Sequence, residues 1–167
     1  MKTIENLYDL FLEQLRDLYD GEMRALSEIP DLAGFAMDSK LRKAITDYAQ
    51  SRKEELMRIR QVFELQFQQK RGEKCKILDT MMSQTFDLLE RCPLPEVRNA
   101  ALITCLQHIM HYKIAGYGAV CTYAKTLKLW EELAILHKNL DIEKHFDRYP
   151  AILAHESINE KAALEEA

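Results

Sequence analysis

Apolar residues recur along this chain at steps of three and four, the spacing of one helix face. The first such stripe runs Leu7, Leu10/Phe11, Leu15, Leu18/Tyr19, Leu26, Ile29. It predicts a helix over about 3–29, with Thr3 as N-cap, Glu5 in the first turn, and Pro30 as its end. Residues 31–37 then read as a connection. Asp38 or Ser39 caps a second helix reaching about Lys70, with Leu41, Ile45, Tyr48, Leu56, Ile59, Val62/Phe63 and Phe67 on one face. The sequence Arg71-Gly72-Glu73-Lys74 breaks the pattern, and a shorter amphipathic segment follows over 77–89 (Leu78, Met81/Met82, Phe86, Leu89). Cys92-Pro93-Leu94-Pro95 is a hard stop, and Pro95 suits the first turn of the next helix. That helix extends to about Leu127 through Ala101, Ile103, Leu106, Met110, Tyr117, Val120 and Ala124. Gly116 and Gly118 fall inside it, each costing about 1 kcal/mol against Ala, and read as sites of close packing. A last long helix over about 129–146 carries Leu133, Leu136, Leu140 and Phe146 until Tyr149-Pro150 interrupts it. The end, 155–167, is helix-compatible and reads as a frayed tail.

The expected fold class is all-α: one domain over 1–167, a four-helix bundle with an extra short helix between the second and third long helices. No strand pattern, internal repeat or low-complexity segment is found.

Each long stripe turns polar once. Glu22 follows Leu15 and Leu18; Glu143 follows Leu136 and Leu140; Lys113 interrupts Leu106, Met110, Tyr117 and Val120. Tyr48, Ser51 or Arg52, and Glu55 occupy the middle of the second stripe. Inward carboxylates and histidines from four helices are how di-iron bundles are built, commonly with Glu-x-x-His on two of them. No helix here carries Glu-x-x-His. His108, His111 and His145 read better as exposed or satisfied side chains than as ligands.

Composition narrows the function classes. The chain has 167 residues, is 47% hydrophobic and 30% charged, and its net charge of −4 argues against a nucleic-acid binder. No apolar run reaches the roughly 18 residues of a membrane span, and MKTIENLYDLFLEQ does not read as a signal peptide. Cys75, Cys92, Cys105 and Cys121 form no CxxC and read as reduced thiols of a cytoplasmic protein, ahead of two disulfides or a zinc site. There is no G-x-S-x-G, P-loop, H-E-x-x-H or G-x-G-x-x-G. Arg52-Lys53, Arg58 and Arg60 alternate with Glu54 and Glu55, which suits a solvated salt-bridged face rather than a phosphate track.

The stretches LYDLFLEQLRDLYDGE (7–22), LMRIRQVFELQ (56–66), KCKILDTMMSQ (74–84), VRNAALITCLQHIMHYKIAGYGAVCTYAKTLKL (97–129) and LDIEKHFD (140–147) resemble the YciE/YciF-type ferritin-like family, also called DUF892. The resemblance spans nearly the whole chain in order. It implies a ferritin-like bundle, a stress-associated role of undefined biochemistry, a homodimer and, in some members, a di-metal site. It also implies where the metal ligands would fall. The first-helix Glu of DLYDAE matches Glu22. The second-helix pattern HxxETxxQxxRLxxVF puts its His at Tyr48, its Glu at Ser51, its Gln at Glu55 and its Arg at Arg58. The pattern EHYEIAAYG puts its glutamates at Met110 and Lys113, while His111, Tyr112 and Tyr117 are kept. In the last helix one acid matches Glu143 and the other falls at Ile142.

Most of the implied ligand set is therefore replaced. A protonated Lys has donors and no lone pair for a metal. Lys113 either stands between Glu22 and Glu143, with Tyr48 or Arg52 joining an internal network, or snorkels to solvent. The expected reading is a non-enzymatic, cofactor-free protein whose site residues are Glu22, Tyr48, Ser51, Arg52, Glu55, Met110, Lys113 and Glu143. The alternative is a di-metal oxidase or iron-handling protein holding iron or manganese through Glu22, Glu143 and a nonstandard partner such as His111 or Tyr48. A third reading is a small-molecule binder with Met57, Met81, Met82 and Met110 along a pocket, although methionines at helical spacing are usually core filler. No nucleic-acid or membrane partner is expected.

Overall fold

A computed structural model describes residues 3–70 and 74–163. The helices are α1 (Leu7–Phe35), α2 (Ser39–Leu65), α3 (Lys76–Glu90), α4 (Pro95–Thr126), α5 (Trp130–Leu153) and α6 (Asn159–Ala163). A π turn, Ala154–Ile158, joins α5 to α6, and no strand occurs among the described residues. The chain is all-α.

Helices α1, α2, α5 and α4 pack in that cyclic order. The first halves of α2 and α4 share one apolar cluster with the end of α1, including Ile29, Leu32, Ile45, Leu102 and Leu106. The start of α1, the ends of α2 and α4 and the first half of α5 share the other, including Phe11, Leu15, Phe63, Val120 and Leu136. Helices α2 and α4 therefore run parallel, and the chain must travel back along the bundle between them. Helix α3 lies on that return, against α4 and α1. A bundle with one long crossover is the ferritin-like topology. The α3 start is tied down where the Cys75 amide donates to Asp20 Oδ2 at 2.8 Å. Tyr112 hydroxyl meets Cys75 Sγ at 3.2 Å and donates to Asp17.

Several boundaries differ from the sequence reading. Helix α1 begins at Leu7, capped by Asn6, whose side chain accepts from the Asp9 amide, rather than at Thr3. It continues through Pro30 to Phe35, so 31–37 is mostly helix. Pro30 is exposed, which lets water reach the Leu26 carbonyl that it leaves without a helical donor. Burial of Ile29 and Leu32 on either side holds the helix together. Helix α5 likewise passes through Pro150, and Leu153 and Ile158 beyond it are core residues. Within the expected tail 155–167, the π turn and α6 extend to Ala163; residues 164–167 lie outside the described residues.

Helix α2 stops at Leu65, five residues before the expected end at Lys70. Phe67 takes φ 51°. Its amide donates to the Glu64 carbonyl at 3.0 Å and the Gln68 amide donates to Phe63 at 3.0 Å, a Schellman closure. Phe67 leaves the core stripe as a result and is 96% exposed. Of the expected break 71–74, only Lys74 lies within the described residues. The two α4 glycines also part company. A Cβ on Gly116 would stand 2.8 Å from Leu18 Cδ2, so α4 approaches α1 closely there, whereas Gly118 has nothing within 4 Å. All four cysteines are free and buried. No described helix is long and apolar enough to cross a membrane.

Candidate functional site

The two apolar clusters are separated by a polar layer at mid-bundle. Each long helix supplies it from the inward face: Glu22 from α1, Tyr48, Arg52 and Glu55 from α2, Lys113 and Tyr117 from α4, and Asn139 and Glu143 from α5. All eight are at most 2% exposed. The placement follows from helical phase, since each polar residue occupies a position that the stripe would fill with a core residue.

Two cations face three carboxyl groups. Lys113 Nζ lies 2.8 Å from Glu22 Oε1, 2.6 Å from Glu143 Oε1 and 3.9 Å from Glu55 Oε2. Arg52 Nη1 pairs with Glu143 and stands 3.5 Å from Glu22 Oε2. Arg52 Nη2 pairs with Glu55 and also donates to Ser51 Oγ at 2.9 Å. Arg52 Nε donates to the Tyr48 carbonyl at 3.1 Å, and the guanidinium carbon sits 3.8 Å from the Tyr48 ring centroid. The Arg52 planar fork thus pairs with Glu143 and Glu55 through separate Nη atoms and also approaches Glu22.

Hydroxyl and amide groups fill the remaining valences. Tyr48 hydroxyl donates to Glu143 Oε2 at 2.9 Å, and Tyr117 hydroxyl donates to Glu22 Oε1 at 2.6 Å. Asn139 Nδ2 donates to Tyr117 hydroxyl at 3.1 Å and to the Glu55 carbonyl at 3.0 Å. Glu55 Oε2 is the one carboxylate oxygen of this layer without a hydrogen-bond partner.

Counting formal charges gives three acids against two bases, one negative charge in excess. Burial pushes the Glu55 carboxyl up to about 11, Arg52 pulls it down, and neighbouring Glu143 and Glu22 raise it further. Of the acids in this layer Glu55 is pushed furthest toward its protonated form, and a proton there would cancel the excess negative charge. Burial also raises Glu22, to about 7; Arg52 lowers it, Glu143 raises it, and the Tyr117 hydrogen bond lowers it. Burial drives Tyr48 and Tyr117 well above the ordinary phenol range, so both remain donors.

Among the residues singled out in the sequence, Glu22, Tyr48, Arg52, Glu55, Lys113 and Glu143 meet in this layer. Ser51 stands at its edge, with Oγ 2.9 Å from the Tyr48 carbonyl and 3.1 Å from Glu55 Oε1. Met110 is buried in the apolar cluster beside it. Lys113 does not snorkel; it is 2% exposed. His111 is elsewhere: its side chain is 66% exposed and pairs with Asp147 at 3.0 Å. It projects from the outer side of α4, so the alternative ligand set including His111 does not assemble.

Tyr117 and Asn139 complete the layer without being among the expected site residues. Tyr117 sits in the α4 stripe as if it were only an apolar body, and its hydroxyl is what the periodicity hides. Asn139 carried a usable signal, because it lies one turn before Glu143 on the same face of α5.

The geometry also tests whether a metal pair fits. Glu22, Glu55 and Glu143 each offer an oxygen within 4.8 Å of the others. The oxygens that would ligate a cation already face Lys113 and Arg52, and neither residue can ligate when protonated. Two added dications would also need anionic donors that Ser51, Met110 and Lys113 do not supply. In this arrangement the three carboxyl groups are engaged by Lys113 and Arg52.

Comparison with known proteins agrees with the fold. The family described as Domain of unknown function (DUF892) matches residues 6–163. Protein YciF of Escherichia coli is 32% identical over 163 residues, covering 97% of this chain and 96% of YciF. The crystal structure of the E. coli stress protein YciF matches at TM-score 0.89 and 28% identity, over 93% of this chain and 99% of that one. YcfI from Rhodopseudomonas palustris matches at TM-score 0.87 and 25% identity, over 90% of this chain and 96% of that one. The chain belongs to the DUF892 family, the ferritin-like proteins of YciE/YciF type.

Proposed function

We propose that this protein is a metal-free, non-enzymatic member of its family, in which an internal ion-pair layer stands where a di-metal centre would be. In this reading it works as a structural or interaction protein in stress physiology, as a cytoplasmic homodimer. The stress role rests on its similarity to YciF, which is named a stress protein. The cytoplasmic placement is supported by four free cysteines.

The observation that carries the reading is the Lys113 ammonium, 2.8 Å from Glu22 and 2.6 Å from Glu143. It contributes the positive charge that the carboxylates require, and Arg52 contributes the second. Removing either leaves buried acid without its counter-charge, which costs several kcal/mol.

A second reading, a di-metal oxidase or iron-handling protein using Glu22 and Glu143, draws on the closeness of the three carboxyl groups. Elemental analysis of purified protein after growth with iron and manganese decides between them. The proposal expects well under one metal per chain, whereas two metals per chain, lost in Glu22→Gln, would overturn it.

A further inference from the structure

The third reading, small-molecule binding along Met57, Met81, Met82 and Met110, does not survive as stated. Met57 is exposed on the outer side of α2, and Met81 and Met82 belong to α3. Met110, however, lines a groove of about 530 Å3 between the first half of α2, α4 and the end of α5. Its volume lies in the range of small-molecule sites. The floor is apolar and nearly closed, made by Ile45, Leu106, Met110 and the Tyr48 ring, each at most 2% exposed, with half-buried Phe146 beside them. Tyr149 and Ile152 extend it outward and remain about half exposed, at 44% and 49%.

Its rim is cationic. Lys43 is matched by Asp47, 2.6 Å away. Arg148, also at the rim, is exposed and has no ion pair or hydrogen bond among the described residues. His145 adds an imidazole packed edge-on against Phe146. An apolar interior with one uncompensated guanidinium at its mouth is complementary to a ligand with an apolar body and one anionic head. An uncharged ligand would leave Arg148 unused, and a cationic one would be repelled by it.

We infer that this groove is a binding site for an amphipathic monoanion of the medium-chain carboxylate class, with its chain against Ile45, Leu106, Met110 and Phe146 and its carboxylate at Arg148. The site shares the Tyr48 ring with the polar layer but none of its charged groups, and does not depend on whether that layer holds metal.

The test uses the full chain labelled at the methionine methyls and titrated with decanoate below its micelle concentration. Met110 is the reporter, and exposed Met23 and Met57 are the controls. The expected result is a saturable shift of Met110 alone, with decanoate binding at least about tenfold more tightly than decyltrimethylammonium. Arg148→Glu, on the surface, should reduce decanoate affinity about tenfold or more, which corresponds to about 1.4 kcal/mol. Three results would overturn the inference: an unmoved Met110, equal affinity for the cationic amphiphile, or shifts at Met23 and Met57 as large as at Met110. A Met110 signal that follows protein concentration instead of decanoate would also overturn it, because a second copy would then occupy the groove.

Discussion

The Lys113 ammonium on α4 stands 2.8 Å from Glu22 Oε1 on α1, and neither side chain is more than 2% exposed. An ion pair this deep contributes little net stability compared with a well-packed apolar pair, yet breaking it is costly. Lys113→Ala should destabilise the protein by about 3 kcal/mol in urea unfolding. The comparison is Lys43→Ala, whose parent side chain is 74% exposed and whose effect should stay within about 0.5 kcal/mol. Equal effects for the two variants would show that Lys113 does not hold the layer together.

Glu55 gives the layer a pH dependence of definite sign. In the folded protein its carboxyl is raised from 4.5 to about 11, so the folded state holds a proton that the unfolded chain releases above about 4.5. Its contribution is fully present below the unfolded value and is lost as pH rises toward the folded one. The slope is about 1.4 kcal/mol per pH unit while only the folded state is protonated. Glu22, raised to about 7, adds in the same direction over the lower part of that window. Glu55→Gln replaces the protonated acid with a neutral group of similar shape. Between about pH 7 and pH 10 the variant should gain on the parent by about 1 kcal/mol per unit. Chemical denaturation at several pH values measures it, and parallel profiles would refute the protonated Glu55.

The two glycines of α4 offer a paired test. Gly118→Ala meets nothing within 4 Å and should stabilise by about 0.5–1 kcal/mol through helix propensity. Gly116→Ala places a methyl 2.8 Å from Leu18 Cδ2. Leu18 is itself buried and has little room to move, so the gain is offset by overpacking. The variants should differ by about 1–2 kcal/mol in unfolding free energy, with Gly118→Ala the more stable. A reversed order would mean that α4 does not approach α1 closely at Gly116.

The helices were legible because a 3.6-residue period survives in each stripe, and the positions where the stripes turn polar are those that meet at mid-bundle. Local signals misled where tertiary packing outweighed them. Pro30 and Pro150 read as stops, yet burial of Leu32 and Leu153 beyond them offsets the roughly 3 kcal/mol that an interior proline costs. Tyr117 and Asn139 could not be assigned from periodicity, because a stripe reports which side faces inward and not what an inward hydroxyl or amide will meet. The missing histidine ligands, by contrast, could be read directly: no Glu-x-x-His exists to be placed. Counting charges on the stripes also exposed the mixed signs of Glu22, Lys113 and Glu143, although only the distances reveal that Arg52 pairs with Glu143 and Glu55 and approaches Glu22.

Phe67 falls on the apolar stripe of the second helix in the sequence but stands outside the core in the fold. At φ 51° it occupies the left-handed position of the α2 cap, which costs a residue with a Cβ about 1 kcal/mol or more. Its ring is 96% exposed, so it recovers little of that by burial. Phe67→Gly relieves the strain while keeping both amide bonds of the Schellman closure, and should raise stability by about 0.5–1 kcal/mol after the greater flexibility of the unfolded chain is counted. Phe67→Ala keeps the Cβ and should stay within about 0.5 kcal/mol of the parent. Lys128→Gly should act in the same direction as Phe67→Gly, because Lys128 caps α4 at φ 61° with the same pair of bonds, to Lys125 and from Leu129 to Ala124. Urea midpoints at unchanged slope are the measurement. A loss of stability in Phe67→Gly matched by Phe67→Ala would mean instead that the ring packs against a surface of the protein and that the strain argument fails.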